Sequence, residues 1–451
     1  MPRRHPKRPD IETMPSVNPH AAGLDIGSEE IWACVPEDRD TQPVRPFGTF
    51  TPDLYVLADW LTACRIETVA MESTGVYWIP IYEILEARGF KVYLVNARHL
   101  KHVPGRKSDV KDCQWIQHLH TCGLLSGSFR PEAEMCALRA YLRHRATLLE
   151  HRAAHIQHMQ KALQQMNVQL TQVLTDISGV TGLAIIRAIV AGERDPVQLA
   201  RFRDQRCASS TEEIAKALTG HYRPEHVFAL KQALALYDTY TEQVRECDAE
   251  IERRFQAIMP VWPDELPPLN RANTHRTHNK NAPLYDARGM LYQLTGVDLV
   301  AIPGLNASTV QTILSEIGLD PRKWPHAKAF CSWLGLAPRH EISGGKILRR
   351  STLKTRNRAG QAFRLAAHAV SRSRNSLGAY YRRMRARLGP QSAIVATAHK
   401  IARIVYHLLI HRTPFRDLSA TEYEQRTRDR DIAALRKKAT KLGFTLVESS
   451  T

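Results

Sequence analysis

The sequence predicts an α/β unit at the N-terminus followed by a largely all-α remainder. Three observations carry that expectation. From His20 to about Pro131, short apolar runs alternate with helical patterns. From Pro131 onward the texture becomes helical. The length of 451 residues exceeds one average core and suggests two to four domains. An apolar fraction of 43% and a charged fraction of 24% exclude a wholly disordered or collagen-like chain.

Residues 1–17 are rich in Pro and Arg and read as a disordered basic tail. In the following unit, 18–130, the pattern predicts strands at Ala22–Ile26, Ile31–Val35 and Phe47–Phe50. A helix follows at Pro52–Cys64, then a buried strand at Thr68–Met71 and a helix at Ile79–Arg88. Lys91–Val95 reads as a strand and Ser108–Cys122 as a helix. Region 131–258 is helical. Leu142, Leu149, Ile156, Leu163 and Leu170 recur every seven residues, with Leu138, Arg145, Arg152, Met159 and Met166 on the companion seam. A second such stretch runs from Val227 to Phe255. Both a coiled coil and a pair of amphipathic bundle helices fit this spacing. Region 259–297 is rich in Pro, Asn, His and Thr and reads as a linker or exposed loop. Region 298–418 forms a third unit and 419–451 a polar, partly helical tail.

A weak repeat of offset 125 relates Ile177-Ser-Gly179 and Asp195-Pro196 to Ile302-Pro-Gly304 and Asp320-Pro321. The second copy is similar to a helix-hairpin-helix turn, with Asn306 where Gly is usual and a left-handed backbone expected there. A plain αα-turn fits the first copy equally well.

The charge balance points to a polyanion. Lys plus Arg number 63 against 45 acids, a net charge of +18. Between Glu341 and Asp417 there is no acid, and 17 cations stand there, so the excess is localised. They include Lys346, Arg349, Arg350, Lys354, Arg356, Arg358 and Arg364. Tyr380, Tyr381 and Tyr406 are offered as stacking surfaces. Eight cysteines include no CxxC pair, so neither a zinc ribbon nor a disulfide framework is indicated. No apolar stretch follows the basic N-terminus, and no segment approaches the roughly 20 apolar residues of a membrane span. A reduced, cytoplasmic protein without a membrane partner is expected. The pairs His118/Cys122 and His407/His411 lack further ligands at usable spacing and read as helix-face residues.

Two constellations carry chemistry. Asp25 lies in Gly23-Leu-Asp-Ile-Gly27, Glu72 ends the Thr68–Met71 run, and Asp109 and Asp112 stand three apart near a helix start. A carboxylate on a short apolar strand is costly unless paired or metal-bound. Four acids placed on strand, strand and helix suit an RNase H-like two-metal site for phosphodiester chemistry. Taken singly, Asp109 or Asp112 suits a helix-start acid, and Asp25 or Glu72 a strand-end turn residue. The second constellation is Leu334-Gly-Leu-Ala-Pro-Arg-His-Glu-Ile-Ser343-Gly344-Gly345-Lys346. Ser343 before two glycines is a hydroxyl on an uncrowded loop that a DNA backbone can approach, although Ser-Gly-Gly is also a common turn.

In their order along the chain, Gly-Leu-Asp25-Ile-Gly, Met-Glu72-Ser-Thr-Gly, Lys-Ser-Asp109-Val-Lys-Asp112, Ile302-Pro-Gly, Leu334-Gly-Leu-Ala-Pro and Ser343-Gly-Gly-Lys resemble one family. It is the DEDD transposases of bacterial insertion sequences of the one-ten type, bridge-RNA-guided serine recombinases. The resemblance covers the first unit and residues about 298–375. It implies an N-terminal RuvC-like RNase H fold, a helical or coiled-coil middle and a mostly helical C-terminal transposase domain. It implies that Asp25, Glu72, Asp109 and Asp112 bind Mg2+ or Mn2+ and that Ser343 attacks DNA. It further implies a structured guide (bridge) RNA pairing with donor and target double-stranded DNA, and a homo-oligomer of two to four chains. A nucleoid-associated bacterial protein follows. Two other functions remain open on the residues alone: an RNase H-type, resolvase-like nuclease in which Ser343 is only a turn, and a non-enzymatic nucleic-acid-binding protein. A serine hydroxyl needs a base or a metal to be a strong nucleophile. No His-Asp pair lies near Ser343, so the acids are the evident source of activation.

Overall fold

The computed structural model describes residues 15–73, 75–96, 109–258, 266–269, 280–344, 346–352 and 357–447. The chain divides into two compact units, Met1–Arg130 and Pro131–Thr451.

The first unit is a five-stranded mixed sheet of order β3-β2-β1-β4-β5. Its strands are β1 (Ala21–Ile26), β2 (Glu30–Cys34), β3 (Val44–Gly48), β4 (Thr68–Glu72) and β5 (Lys91–Val95). β1 to β3 form an antiparallel meander, while β4 and β5 run parallel to β1. This arrangement is consistent with an RNase H-like domain. The central strands β1 and β4 are buried on both faces, with alternate residues facing opposite ways. On one face Leu24, Ile31, Val69 and Met71 meet Leu57, Leu61, Ile81 and Leu85 of helices α1 (Thr51–Ala63) and α2 (Trp78–Ala87). On the other, Ala70 and Val95 meet Ile116 and Leu119 of α3 (Asp109–Thr121). The predicted elements lie within a few residues of these positions. The third strand starts three residues earlier than expected because Val44 already pairs with Cys34.

The second unit is helical. Its helices are α4 (Ala133–Gln165), α5 (Leu170–Val173), α6 (Val180–Ala191), α7 (Pro196–Ala200), α8 (Thr211–Leu218) and α9 (Pro224–Ala257), then α10 (Ala287–Thr295), α11 (Ala307–Ile317) and α12 (Ala327–Trp333). After a two-stranded hairpin come α13 (Arg358–Val370), α14 (Ser376–Leu388), α15 (Pro390–His411) and α16 (Ala420–Lys441). The long helices α4 and α9 lie antiparallel: Cys247 Sγ donates to the Tyr141 carbonyl at 3.6 Å, while His151 and His155 each stack on Tyr240 at 5.4 Å. On the seam, Arg145 and Asp248 form a buried pair at 2.5 and 3.0 Å. Arg145 also donates to the carbonyls of Asn281 and Ala282, and Arg152 donates to Asn281 Oδ1. The two seam arginines are therefore internal bundle groups and do not extend a nucleic-acid surface.

Three expectations change here. The segment read as linker or loop, 259–297, lies outside the described residues at 259–265 and 270–279. Its last part is packed: Asn281 and Ala282 cap Arg145, 287–295 is the helix α10, and Gln311 bonds the Tyr285 hydroxyl. Pro and His content masked an ordinary helix with an Asp286 cap. Asn306 is not left-handed. At φ −112 it caps α11 by accepting from Thr309 N, and the positive φ falls at Gly304 (+88). A Cβ on Gly304 would sit 2.5 Å from the Ala366 carbonyl, so this turn is filled by α13. Finally, Pro390–His411 is long and apolar enough to cross a membrane by length and composition. Over half of it is buried inside the unit, through Ala393, Ile394, Ala398, Ile401, Ala402 and Val405 among others. It is a core helix packed against α12, α13 and α14.

Candidate active site

The sheet of the first unit sets two acids at one edge. The register Gly23↔Ala70 and Leu24↔Met71 brings the carboxyl ends of β1 and β4 side by side, with Asp25 and Glu72 as the next step. Alternation places both on the face covered by α3, because Gly23 and Ala70, two residues earlier, already face that helix. Both acids are half-buried. The approach of α3 is unusually close. A Cβ on Gly23 would lie 2.3 Å from Gln117 N and 2.5 Å from the Cys113 carbonyl, so only glycine fits. Gln117 Nε2 reaches the Ala21 carbonyl at 3.4 Å. His120, further along α3, bonds Thr68 Oγ1 at 2.8 Å and lies against Tyr93 at 4.7 Å. Burial pushes its pKa down to about 4, so the ring is neutral.

Asp109 opens α3, and Asp112 is half-buried one turn on. Asp112 directly precedes Cys113, whose thiol feels the Asp25 carboxylate. The Cys113 thiol is pushed up, first by its hydrogen bond with Cys34 and then by burial, with the Asp25 carboxylate adding to both. This is a protonated, unreactive thiol beside the acids. Among the described residues no three His, Cys, Asp or Glu side chains form a group that holds a metal ion. The side chain of Asp109 lies outside the described residues. The donor chemistry nevertheless fits a hard divalent cation, since carboxylate oxygens are what Mg2+ and Mn2+ take. Sequence reasoning assigned no role to Gly23 or Cys34. The glycine spacing in Gly23-Leu-Asp-Ile-Gly27 was the available signal for the close helix approach.

In the second unit, Ser343 ends β6 (Pro338–Ser343), which pairs with β7 (Lys346–Thr352). The expectation of an uncrowded loop becomes a hairpin tip. Ser343 is opposed by Lys346, both are exposed, and Gly344 between them has φ +55 with open space around it. The hairpin base is fixed to the core. Arg364 Nη2 donates to the Gly335 carbonyl at 2.8 Å, and a Cβ on Gly360 would sit 2.3 Å from the Leu334 carbonyl. Arg364, expected on nucleic acid, is thus engaged in holding the Leu334-Gly-Leu-Ala-Pro segment, and burial lowers its pKa.

Of the other cations expected at a phosphate backbone, Lys346 and Arg358 are exposed. Arg349 and Arg350 lie on β7, with side chains outside the described residues, as are Lys354 and Arg356 altogether. Arg372, Arg374, Arg382, Arg385 and Arg403 are exposed as well. The tyrosines are not stacking surfaces. Tyr381 and Tyr406 are buried, and the Tyr406 hydroxyl bonds the Trp324 carbonyl at 2.7 Å. Tyr380 is covered by Lys400, whose ammonium lies 4.3 Å from it and 4.4 Å from Tyr423. Burial, with Arg430 and Arg383 nearby, pushes Lys400 down to about 8. The pairs His118/Cys122 and His407/His411 are helix-face neighbours, with a 4.0 Å contact and stacked rings 5.8 Å apart.

A mixed sheet of RNase H-like order and a separate helical unit rich in exposed cations suit a protein that processes nucleic acid. Comparison with known families agrees with that class and narrows it. Residues 22–168 match the family model of the DEDD transposase, and residues 298–382 match that of the transposase IS116/IS110/IS902 family, together about half of the chain. The chain belongs to the IS110-type DEDD transposases. No curated protein matches it in sequence.

Proposed function

We propose that the chain catalyses RNA-guided DNA strand exchange for a bacterial insertion sequence, with Ser343 as covalent nucleophile. The observation that carries this reading is the hairpin tip. Ser343 is exposed, Gly344 leaves the space beside it open, and Lys346 stands directly across the hairpin. An in-line attack on a crowded phosphodiester needs that clearance. Ser343 Oγ gives up its proton and bonds to phosphorus, and the deoxyribose oxygen of the cut strand leaves and is protonated. Because the phosphodiester energy is kept in the serine ester, a hydroxyl of a second strand can displace Ser343 and rejoin the backbone. Lys346 offsets the charge that grows on the phosphoryl oxygens.

Asp25, Glu72, Asp109 and Asp112 are the residues that would hold Mg2+ or Mn2+. When bound, such a cation supplies charge neutralisation at the phosphate and lowers the pKa of an oxygen nucleophile. The exposed cations of 346–416 hold DNA and a structured guide RNA by their backbones. The family resemblance supports the guide RNA and an assembly of two to four chains.

The test is a nicked suicide DNA substrate with its guide RNA. The wild-type protein is expected to form a covalent adduct whose modified peptide contains Ser343 by mass spectrometry. Ser343→Ala should keep its fold and DNA binding and form none. An adduct on Ser351 or Thr352, or metal-dependent cutting with no adduct, replaces this reading by the metal-water nuclease.

A further inference from the structure

We propose that the hairpin bearing Ser343 also carries an apolar wedge, Ile342 and Leu348, that opens a base step of duplex DNA. The inference rests on the reading of this hairpin as the strand-exchange element. The register shifts between Glu341 and Ile342, so residues 347 and 348 of β7 together oppose Ile342 alone. The bulge adds one residue to β7 just behind the tip. Ser343 and Lys346 face each other at the tip, and behind them Ile342 and Leu348 stand out at 64% and 71% exposure. Two large aliphatic side chains on an isolated two-stranded ribbon cover no core there. Such a ribbon is marginal on its own and gains stability when its face is covered.

The occupant is argued from charge. No acid occurs between Glu341 and Asp417, and two exposed cations accompany the wedge residues, Lys346 between them in the chain and Arg358 ten residues beyond Leu348. A protein partner would meet an apolar pair set in lysine and arginine, residues whose positive charge favours phosphate. Proteins that kink DNA combine these two features, aliphatic side chains pushed between bases and cations on the flanking phosphates. Opening a base step beside Ser343 would also splay the backbone and expose the phosphodiester that the hydroxyl attacks.

A wedge pays for unstacking, so DNA that is already unstacked should bind more tightly. The full-length protein is titrated against a perfect duplex and against the same duplex carrying a small mismatched bubble. The wild type is expected to prefer the bubble by about tenfold or more. The double variant Ile342→Ser/Leu348→Ser should lose that preference while keeping its affinity and salt dependence on the perfect duplex. Ile342→Phe, which keeps a large apolar group, should retain the preference and shows that loss is not misfolding. A wild type without bubble preference, a double variant that keeps it, or a double variant that instead changes oligomeric state overturns the proposal. Ser343→Ala should leave the bubble preference intact. Failure of the nucleophile reading would therefore appear in the adduct assay alone.

Discussion

At the scale of single residues, Gly23 decides how close α3 can come to the sheet. Gly23→Ala would force a methyl group into the backbone of Gln117 and Cys113, neither of which can turn away. Overpacking of this kind costs about 1–3 kcal/mol or more. The variant is expected to lower the melting temperature, and strand exchange should fall further than stability does, because the helix carrying Asp109 and Asp112 is displaced. Thermal melting alongside the exchange assay checks both. His120 makes a second prediction. Its folded pKa, about 4, lies below the ordinary 6.5, so the unfolded chain binds the proton more readily. Stability is full above pH 6.5 and declines as the pH falls toward 4, by up to roughly 3 kcal/mol. Urea midpoints at pH 7 and pH 5 should differ, and His120→Asn should remove much of that difference. The acids were legible as residue types on strand ends. The face they share was not, because it follows from β1 and β4 pairing across 40-odd residues, a register that composition does not encode.

At the scale of elements, the heptad seam of α4 was legible, but its arginines were not. Period alone cannot distinguish a basic stripe from a guanidinium buried on a carboxylate 103 residues away. Removing one partner of a buried pair costs about 3–5 kcal/mol, while replacing both by apolar groups of similar size is often close to neutral. Arg145→Ala is therefore expected to destabilise strongly, and Arg145→Met with Asp248→Leu much less. A double-mutant cycle by urea unfolding measures the difference. The hairpin 338–352 was missed as an element because its register includes a bulge and its strands carry charge throughout, so neither strand shows clean alternation. The Ser-Gly-Gly turn at its tip was the readable part.

At the scale of the whole molecule, the excess charge is concentrated in one stretch of sequence and mostly faces solvent there. If these cations meet phosphates, the logarithm of affinity should fall with the logarithm of salt by about 0.9 per contact on duplex DNA. Arg372→Gln, Arg374→Gln and Arg382→Gln should each flatten that slope. Arg364→Gln should instead lower stability, because its partner is the Gly335 carbonyl. Titrations at several salt concentrations separate the two behaviours. Composition made the basic stretch legible as a region, while the division of its cations between surface and interior depended on packing. The helix α4 has one further consequence, for the order of events during synthesis. Its polar partners emerge late: Asp248 comes 103 residues after Arg145, Glu316 173 after Arg143, and Lys323 191 after Glu132. A nascent chain therefore carries this helix with its guanidinium groups unmatched until most of the second unit has left the ribosome. The sheet unit closes on contacts made before residue 131, so it can fold while the rest is still being made. Chains halted near residue 220, before α9 and Asp248 are made, should accordingly show a protease-resistant first unit followed by a helix that is cut readily.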